Sequence, residues 1–403
     1  MTHIEQMIQD LCPNGVEFKK LGDLGVFANT GVDKKSRDDE QEVTLLNFMD
    51  VCRHKYIDAS VPTMVVTAPD RKIEQCNVLK DDIFITPSSE TIDEIGFAAV
   101  IMKDLPNVVY SYHIMRYRLN HPNTTTAKFI RYLFEAPVIR KQILKGAKGL
   151  TRFGLSKYQF ADSEIPLPPL EIQKKIVECL DKFSALAAEL QAELHLRRKQ
   201  YEYYRTQLLT PHSESTSANK TDDCNWEWKT LGEICDIKRG VRVVKSELEQ
   251  EGKYPVYQNS LTPLGYYDKC NYPANTTFII SAGAAGKVGF SDVDFWAADD
   301  CLCIKCPEII NSKYLYYYML DKQDFFLSQV RHASVPRMSR TIVENFKLPI
   351  PPLEEQERIV SILDKFEALT TSLSDGIPAE QAAQQKRYEY YRDLLLTFPR
   401  KEA

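Results

Sequence analysis

Residues 165–190 read IPLPPLEIQKKIVECLDKFSALAAEL, and residues 348–373 read LPIPPLEEQERIVSILDKFEALTTSL. At a constant offset of 183 residues, 15 of these 26 positions are identical. Two shorter echoes flank the repeat: KQYEYYRTQLLT (199–210) with KRYEYYRDLLLT (386–397), and EFKKLGD (17–23) with EWKTLGE (227–233). An internal repeat of this size constrains the architecture before any local pattern does. The sequence therefore predicts two copies of one module, each a variable body followed by a shared helical segment.

The composition is that of a soluble globular protein with two or three domains. The chain has 403 residues, of which 43% are hydrophobic and 27% are charged. The N-terminal stretch MTHIEQMIQDLCPNG lacks the basic and apolar regions of a signal peptide, and no apolar run is long enough to span a membrane. Ten scattered cysteines indicate a reducing cytoplasm. The net charge of −5 argues against nonspecific nucleic-acid binding by the chain as a whole.

The two variable bodies, residues 17–165 and 227–348, share a skeleton although their sequences differ. Each is predicted to contain a polar turn that enters a strand, then a second strand, then an aromatic-rich helix. These features lie at 81–86, Gly96 and 128–135 in the first body and at 275–280, Gly289 and 313–321 in the second. We therefore predict two α+β domains, the first with an exposed, highly charged loop at 33–42.

The shared segments, residues 166–210 and 349–398, are predicted to be helical because prolines followed by Glu171 mark a helix start. From Ile176 onward, apolar residues recur in steps of four and three, the spacing of a coiled-coil seam. A helix from 171 to 209 would be about 58 Å long at 1.5 Å per residue. Such a helix needs a partner for its seam, and the second copy would supply it.

Three further segments complete the predicted organisation. Gly376 and Pro378 predict a break in the second shared helix, where four residues are added relative to the first copy. The polar stretch 211–226 is predicted to be the linker between the copies. Residues 1–16 form a short N-terminal segment, and 399–403 form a tail.

Basic residues are concentrated just before the shared segment in both copies. Between residues 105 and 161 there are ten Lys or Arg and a single acidic residue, Glu135. Charge runs often form only a solvated surface, but here glycine and serine lie among the cations, so the backbone could approach a phosphate closely. The residues that we predict to contact DNA on this basis are Arg140, Lys141, Lys145, Lys148, Arg152 and Lys157 in the first body, and Lys238, Arg239, Arg242, Arg331, Arg337 and Arg340 in the second.

Two other groups of side chains are predicted to bind partners. Gln258, Asn259 and Ser260 form a polar loop that could reach base edges, although a plain surface turn is an equally good interpretation. Tyrosine clusters near the ends of the shared helices could face a partner protein or only pack the helices together. Because three tyrosines within four positions cannot all face one seam, we predict partner contacts. The tyrosines concerned are Tyr201, Tyr203, Tyr204, Tyr388, Tyr390 and Tyr391.

Catalytic patterns are missing from the sequence. The stretch Gly283–Gly289 lacks the spacing of a phosphate-binding loop and is predicted to be a tight turn between strands. Cys301, Cys303 and Cys306 have no matching Cys or His pair at zinc-site spacing, so the alternation in CLCIK favours a strand with buried thiols. We therefore expect a recognition scaffold with no catalytic residues, no metal and no cofactor of its own.

The motifs PLPPLEIQKKIVECLDKF and PIPPLEEQERIVSILDKF, each closing a variable body, resemble the conserved regions of specificity (S) subunits of type I restriction–modification systems. The YEYYR-x-x-LLT pair, the L-G-[DE] echoes and the SDGIPAE insert match the same family, and the resemblance covers essentially the whole chain. It implies a pseudo-twofold α+β fold in which two α/β target-recognition domains are separated by an antiparallel coiled coil of two long conserved helical segments.

The family resemblance also implies a function. Each target-recognition domain would read one half of a bipartite site on double-stranded DNA, and the helices would set the spacer between the halves. The chain would dock two modification subunits, which use S-adenosylmethionine to methylate adenine, and two restriction subunits, which use ATP and Mg²⁺ to translocate and cut DNA. Residues 1–16 would pack near the C-terminal helix. The alternatives are a self-sufficient DNA methyltransferase, for which no N-P-P-[YF] or D-P-P-[YF] motif is present, and a coiled-coil adapter without DNA contact.

Overall fold

The computed structural model describes residues 3–121, 123–211, 226–249, 252–371 and 376–401. The chain divides into two compact units, residues 1–189 with 382–403, and residues 190–381. Both unit boundaries fall inside long helices, so each unit combines one variable body with parts of both shared segments. Most of the predicted linker lies outside the described residues.

The first unit is a mixture of short strands and helices. Its helices are α1 (His3–Leu11), α2 (Leu21–Leu24), α3 (Phe48–Arg53), α4 (Asp70–Gln75), α5 (Ala127–Glu135), α6 (Pro137–Gly146) and α7 (Lys157–Ala161), with a 3₁₀ turn at Ile92–Glu94. Its strands are β1 (Glu17–Lys20), β2 (Gly25–Ala28), β3 (Gln41–Leu46), β4 (Tyr56–Ile57), β5 (Met64–Ala68), β6 (Asn77–Val78), β7 (Ile83–Ile85), β8 (Ser88–Ser89), β9 (Ala98–Ile101), β10 (Leu105–Tyr110), β11 (Met115–Leu119), β12 (Phe153–Gly154) and β13 (Glu164–Leu167). They form a five-stranded sheet in the order β2-β11-β7-β9-β4, a four-stranded sheet β5-β3-β10-β6, and the pairs β1-β13 and β12-β8. The 40-residue helix α8 (Leu170–Leu209) follows.

The second unit is smaller but has the same central elements. Its strands are β14 (Glu227–Thr230), β15 (Asp236–Arg239), β16 (Tyr254–Tyr257), β17 (Gly265–Tyr267), β18 (Thr276–Ile280), β19 (Val288–Ser291), β20 (Trp296–Ala297), β21 (Cys301–Lys305) and β22 (Lys347–Ile350). Its helices are α9 (Leu231–Ile234), α10 (Ser312–Asp321), α11 (Gln323–Ser328), α12 (Arg340–Glu344) and α13 (Leu353–Thr371), with a 3₁₀ turn at Lys245–Glu247; α14 (Ile377–Leu395) begins here and ends in the first unit. The sheets run β15-β21-β18-β19 and β17-β16-β20, with β14 paired to β22.

The elements expected from the repeated skeleton are present in both bodies. Strands β7 and β18 follow their polar turns, β9 and β19 follow as antiparallel partners, and α5 and α10 are the aromatic-rich helices. The stretch 283–289 is a tight turn between β18 and β19, with Gly283 and Gly286 at positive φ. These predictions of strands, turn and helices are confirmed.

The long helices agree with the predicted pattern and refine it. Helix α8 spans the predicted range, while the second shared segment forms two helices, α13 and α14, separated at the predicted break; residues 372–375 lie outside the described part. In the predicted seam of α8, Ile176, Leu180, Leu190 and Leu194 are buried, but Ala187 is exposed. Within the second unit, Gln191 accepts a hydrogen bond from Gln381 and Tyr204 stacks on Phe366, so these helices run antiparallel.

The glutamine of the repeated PPLExQ motif makes equivalent contacts in both copies. The Gln173 amide is fully buried, donates to the backbone oxygens of Pro168 (2.8 Å) and Thr124 (3.1 Å), and accepts from the Thr125 hydroxyl. The buried Gln356 amide donates to Pro351 (2.9 Å) and Ile309 (3.0 Å) and accepts from the backbone of Asn311. Because buried amides are costly to leave unpaired, each glutamine fixes its shared helix to its own variable body.

A second repeated contact joins each shared helix to the aromatic-rich helix of its body. Asp181 accepts from Tyr132 (2.6 Å), Tyr56 and Lys128 (3.3 Å). Asp364, its equivalent at the same offset, accepts from Tyr317 (2.5 Å) and pairs with Lys313 (2.8 Å). Burial and these carboxylates raise the pKa of Tyr132 and Tyr317, so both phenols stay protonated and act as donors.

The L-G-[DE] echo is explained by a close helix contact. A Cβ atom at Gly22 would lie 3.1 Å from the Cβ of Ala161 in α7, and one at Gly232 would lie 3.1 Å from the Cβ of Glu344 in α12. The preceding leucines, Leu21 and Leu231, are fully buried. Glycine therefore lets α2 and α9 approach the short helices that precede the shared segments.

The two chain termini meet in the first unit. The amide of Val16 donates to the backbone oxygen of Pro399 (2.9 Å), and the amide of Lys401 donates back to Val16 (2.9 Å). Ile4, Met7 and Ile8 of α1 pack against the core that contains Leu395 and Leu396. Residues 3–16 thus lie against the C-terminal segment. No helix in the described ranges has the length and apolarity needed to cross a membrane.

Candidate nucleic-acid interface

A tight basic hairpin lies at the end of the first body. Lys148 and Gly154 exchange two backbone hydrogen bonds, at 3.1 and 2.9 Å, and enclose five residues between them. Gly149 has φ +148°, and a Cβ atom there would lie 1.9 Å from the carbonyl oxygen of Arg152. Only glycine fits this backbone. Residues 148–154 are called the first hairpin below.

The first hairpin is fixed to the strand in the middle of the five-stranded sheet. Its closing residues form β12, which pairs with β8, a strand that begins three residues after β7 ends. Arg152 donates from Nε to the hydroxyl of Ser88 (3.3 Å), and the amide of Leu155 donates to the backbone oxygen of Pro87 (2.9 Å). Burial, followed by the nearby cations Arg152 and Lys34, lowers the pKa of His113. The hairpin therefore presents its cations from a rigid support.

The positive charges of the first hairpin and of the preceding helix α6 are available to a ligand. Lys141 and Lys145 on α6 are exposed, as are Lys148 and Arg152. None of these four side chains forms an ion pair with any residue of the described ranges. Unpaired cations on a fixed backbone suit contacts with DNA phosphates, which set the register of a protein on the duplex.

A hairpin of the same design lies in the second unit. Arg331 and Arg337 exchange two backbone hydrogen bonds, at 2.9 and 3.1 Å. Arg337 pairs with Ala282, and the amide of Met338 donates to the backbone oxygen of Ser281 (2.9 Å), just after the end of β18. Residues 331–337, called the second hairpin, are thus attached just after an inner strand of their sheet, as the first hairpin is attached after β7.

The second hairpin borders a small polar cavity of about 220 Å³. Its lining includes three arginines, Arg239, Arg331 and Arg337, together with Ser281 and Asp300. Burial raises the pKa of Asp300, and the neighbouring carboxylate of Asp299 raises it further. Arg337, Arg239 and a hydrogen bond from Gln258 have the opposite effect. The structure therefore brings together predicted residues from three separate parts of the second body.

The polar loop 258–260 contacts the same region. The amide of Ala284 donates to the backbone oxygen of Asn259 (2.9 Å), and a Cβ atom at Gly283 would lie 2.8 Å from Asn259. The side chain of Asn259 is exposed, whereas Ser260 bonds within its own turn, to Thr262. Gln258 and Asn259 thus lie beside the arginines, and Arg, Gln and Asn are the side chains that hydrogen-bond guanine and adenine edges.

Sequence reasoning missed that the two hairpins are themselves repeats. Lys148 and Arg331 are separated by 183 residues, the offset of the helical repeat, and so are Gly154 and Arg337. Ser156 and Ser339 share this offset, and each caps the helix that follows its hairpin, α7 or α12. The residue identities of the two hairpins differ, so sequence identity could not reveal the repeat. The constant spacing from each hairpin to the PP motif that follows could have revealed it.

Several predicted DNA-binding residues also have partners within the chain. The Arg140 guanidinium donates to the backbone oxygens of Ile95 and Asp93, so its role is to hold a turn and we no longer assign it to DNA. Lys238 pairs with Asp236 (2.6 Å), and Arg340 pairs with Glu344 of its own helix (2.8 Å). Lys157 lies over the Tyr158 ring at 5.1 Å. Arg242 is exposed.

The six tyrosines divide into three equivalent pairs. Tyr201 and Tyr388 pack against the cores of their units, and Tyr388 donates to Glu135. Tyr204 stacks on Phe366, and Tyr391 stacks on Phe183, with centroids 5.6 and 5.4 Å apart. These four rings pack within the chain, while Tyr204 keeps 40% of its surface exposed, and partner contact at these positions stays a prediction.

The remaining pair is outward-facing. Tyr203 and Tyr390 are 61% and 63% exposed. They occupy the same position of the YEYYR motif in the two copies. These two tyrosines remain the candidates for contact with a partner protein.

The cysteine-rich strand is part of the core. Cys301 and Cys303 are buried in β21, as the alternation predicted, and burial raises the pKa of Cys301 to about 12. A buried protonated thiol is a weak metal ligand. Within the described residues, no three His, Cys, Asp or Glu side chains are grouped so that they could hold a metal ion.

The comparisons with known proteins agree with this architecture. The model of the type I restriction modification DNA specificity domain matches the chain twice, over residues 13–196 and 224–381. Each match covers one variable body and extends into the helical segment that follows it.

Individual relatives are consistent with the family match. The EcoR124I/EcoR124II specificity subunit of Escherichia coli is 34% identical over 276 residues, which cover 60% of this chain and 65% of that protein. The MpnII specificity subunit of Mycoplasma pneumoniae is 32% identical over 209 residues, 50% of this chain and 62% of that protein. The matched regions therefore span just under two thirds of either relative.

A solved structure shows the same fold. The S subunit of the type I restriction–modification system from M. genitalium aligns over 95% of this chain and 96% of its own length, with a TM-score of 0.58 and 17% identity. Together with the double match to the family model, the repeated hairpins and the repeated helical segments show that this chain belongs to the type I restriction–modification DNA specificity domain family.

Proposed function

We propose that this chain is the sequence-specific DNA-binding subunit of a type I restriction–modification complex and has no catalytic role of its own. Each variable body would read one half of a bipartite DNA site. The observation that carries the proposal is the basic hairpin found in both units, attached in each to the residues just after an inner strand of a sheet. Two readers of common design but different side chains suit a target with two different halves.

The proposed division of labour follows from side-chain chemistry. Lys145, Lys148 and Arg152 would neutralise phosphates in the first half-site and set the register. In the second half-site, Arg239, Arg331 and Arg337, with Gln258 and Asn259 beside them, offer both phosphate contacts and hydrogen bonds to base edges.

The catalytic steps would be carried out by partner proteins in the cytoplasm. Two modification subunits would bind S-adenosylmethionine and methylate adenine, and two restriction subunits would use ATP and Mg²⁺ to cut DNA. Tyr203 and Tyr390, exposed at equivalent positions of the shared helices, are the proposed points of contact for these partners.

The proposal is tested by reversing the charge of the first hairpin together with that of Lys145, which precedes it on α6. The triple variant Lys145→Glu, Lys148→Glu, Arg152→Glu should abolish methylation of the cognate site in the assembled complex, because three phosphate contacts become repulsive. The matched control changes three exposed cations elsewhere in the same unit, Arg71→Glu, Lys80→Glu and Lys103→Glu, with the same change in net charge. Methylation is measured by single-molecule sequencing of DNA modified by each complex.

Two outcomes would contradict the proposal. If the hairpin variant and the control methylate the site equally well, the basic hairpin does not contact DNA, which favours an adapter without DNA contact. If the purified chain methylates DNA without any partner, it is a self-sufficient methyltransferase.

A further inference from the structure

Leu150 is unusual among the apolar side chains of this protein. It is 97% exposed, whereas the next most exposed large apolar side chain in the described ranges, Tyr158, is 71% exposed and carries a polar hydroxyl. Single exposed apolar residues are common on surfaces, but one that is almost free of any protein contact calls for a reason. Leu150 lies at the turn of the first hairpin, directly after Gly149.

The hairpin holds Leu150 away from the rest of the protein. Lys148 and Gly154 close the base of the turn through two hydrogen bonds, and Phe153 and Gly154 pair with Ser89 and Ser88. At Gly149 the backbone adopts a conformation that excludes any side chain. Leu150 is thus presented on a short rigid support, so little conformational entropy is lost when it is buried against a ligand.

The charges beside Leu150 indicate what would cover it. Lys148 and Arg152 flank it in sequence, both are exposed, and neither forms an ion pair with a described residue. An apolar tip between two cations is complementary to a surface with an apolar interior between two rows of anions. The base stack of duplex DNA between its phosphate backbones has this arrangement.

We propose that Leu150 is inserted between two adjacent base pairs of the first half-site, with Lys148 and Arg152 on the neighbouring phosphates. The inference rests on the proposed function, because it assigns a task to one residue of the DNA-binding surface. Apolar side chains inserted in this way partly unstack a base step and kink the duplex by roughly 20–90°.

The second hairpin supplies a matched comparison. The residue 183 positions after Leu150 is Ala333, which is also exposed, and Ser334 follows it. Alanine is too short to separate two base pairs. The structure therefore assigns the unstacked step to the first half-site alone.

The experiment uses the complete complex and a DNA site first identified by methylation mapping. 2-Aminopurine is placed in turn at each position of both half-sites other than the methylated adenines, and its fluorescence reports unstacking. The unmodified complex should raise fluorescence at one step of the first half-site. Leu150→Ala should remove that signal and weaken binding about tenfold, since buried carbon is lost while the cost of unstacking is also relieved.

Two controls separate the wedge from the general DNA contact. Val335→Ala shortens an exposed apolar residue of the second hairpin and should leave the signal unchanged. Ala333→Leu should create a new unstacked step in the second half-site. Because positions 150, 333 and 335 are exposed, these changes leave the core intact.

The outcomes distinguish the inference from the proposed function. If Leu150→Ala leaves the fluorescence pattern and affinity unchanged while the complex still methylates its site, Leu150 is not a wedge, although the chain is still the DNA reader. A pattern without any unstacked step for the unmodified complex also overturns the wedge. If the unmodified complex shows no site-specific methylation at all, the proposed function itself fails.

Discussion

The first and second hairpins are closed and attached in the same way, but they differ in the turn that they enclose and in their side chains. Both are closed by two backbone hydrogen bonds at positions 183 residues apart, and both are attached just after an inner strand of a sheet. The first places Leu150 at its tip between Lys148 and Arg152, whereas the second surrounds a small cavity with arginines. The difference shows that the two copies hold the hairpin in the same way and vary the side chains that it carries.

The contacts that hold the loops belong to the conserved part. Gln173 and Gln356 anchor the shared helices, Asp181 and Asp364 bind the aromatic-rich helices, and each set of partners differs only in detail. The side chains that project from the two hairpins, by contrast, differ between the copies. The following changes are designed to break or sharpen this contrast.

Charge reversal in the second hairpin should have the largest effect. Arg331→Glu with Arg337→Glu should lower the affinity of the complex for its cognate site at least about 100-fold, since two phosphate or base contacts become repulsive and each lost contact costs about 1–3 kcal/mol. Electrophoretic mobility shifts with the assembled complex measure it. An affinity that stays within twofold of the unmodified complex would show that the second unit does not depend on its hairpin.

The anchoring glutamines should be equivalent between the units. Gln173→Ala and Gln356→Ala should each lower the free energy of unfolding by about 2–3 kcal/mol, because each change leaves several buried backbone groups without a hydrogen-bond partner. Urea unfolding of the isolated chain measures both. Gln191→Ala, which removes an exposed pair with Gln381, is the control and should cost less than about 0.5 kcal/mol. A large difference between the first two variants would contradict the shared anchoring.

Gly149→Ala should affect only the first hairpin. The added Cβ would collide with the carbonyl oxygen of Arg152, so the turn must open, at a strain of about 1–3 kcal/mol. We expect roughly tenfold weaker binding to the first half-site, in line with that strain. The equivalent position in the second hairpin is His332, and His332→Ala should leave binding nearly unchanged. Binding titrations with DNA in which one half-site is scrambled separate the two effects. Equal losses of affinity for both variants would show that the two turns do not differ in their need for glycine.

The smallest expected effect is a pH dependence confined to the first unit. Burial lowers the pKa of Lys55 to about 8, since desolvation outweighs the attraction of Glu135 and Asp181. Its buried charge therefore costs stability below pH 8, and the cost disappears as the pH rises toward the ordinary lysine value of about 10.4. Between pH 7.5 and 9.5, the melting temperature of the unmodified chain should rise relative to that of Lys55→Met. A constant difference would show that Lys55 titrates normally.

The sequence predicted the shared helices and the central strands because these elements occur twice in the chain. The duplicated PPLExQ segments predicted α8, the polar turns predicted β7 and β18, and the Gly376/Pro378 pair predicted the break between α13 and α14. These features depend on local propensity and on spacing along the chain. A repeat doubles each signal, so chance patterns are easily rejected.

Other features could not be predicted because they depend on tertiary contacts. Arg140 lies within a basic run, yet its guanidinium is bound to backbone oxygens that precede it by some 45 residues. Likewise, Arg239 joins Arg331 and Arg337 only because β15 pairs with β21 beside β18. The exposure of Leu150 depends on the hairpin geometry, which the sequence letters KGLTRFG do not reveal.

The central claim is that each unit reads its own half of a bipartite site. The most direct test is single-molecule sequencing of DNA methylated by the complex, with the unmodified chain and with Arg337→Ala. We predict a motif of two defined halves separated by an unspecified spacer, and a loss of sequence preference in one half only when Arg337 is replaced. A single undivided motif, or a change in both halves after this substitution, would contradict the account.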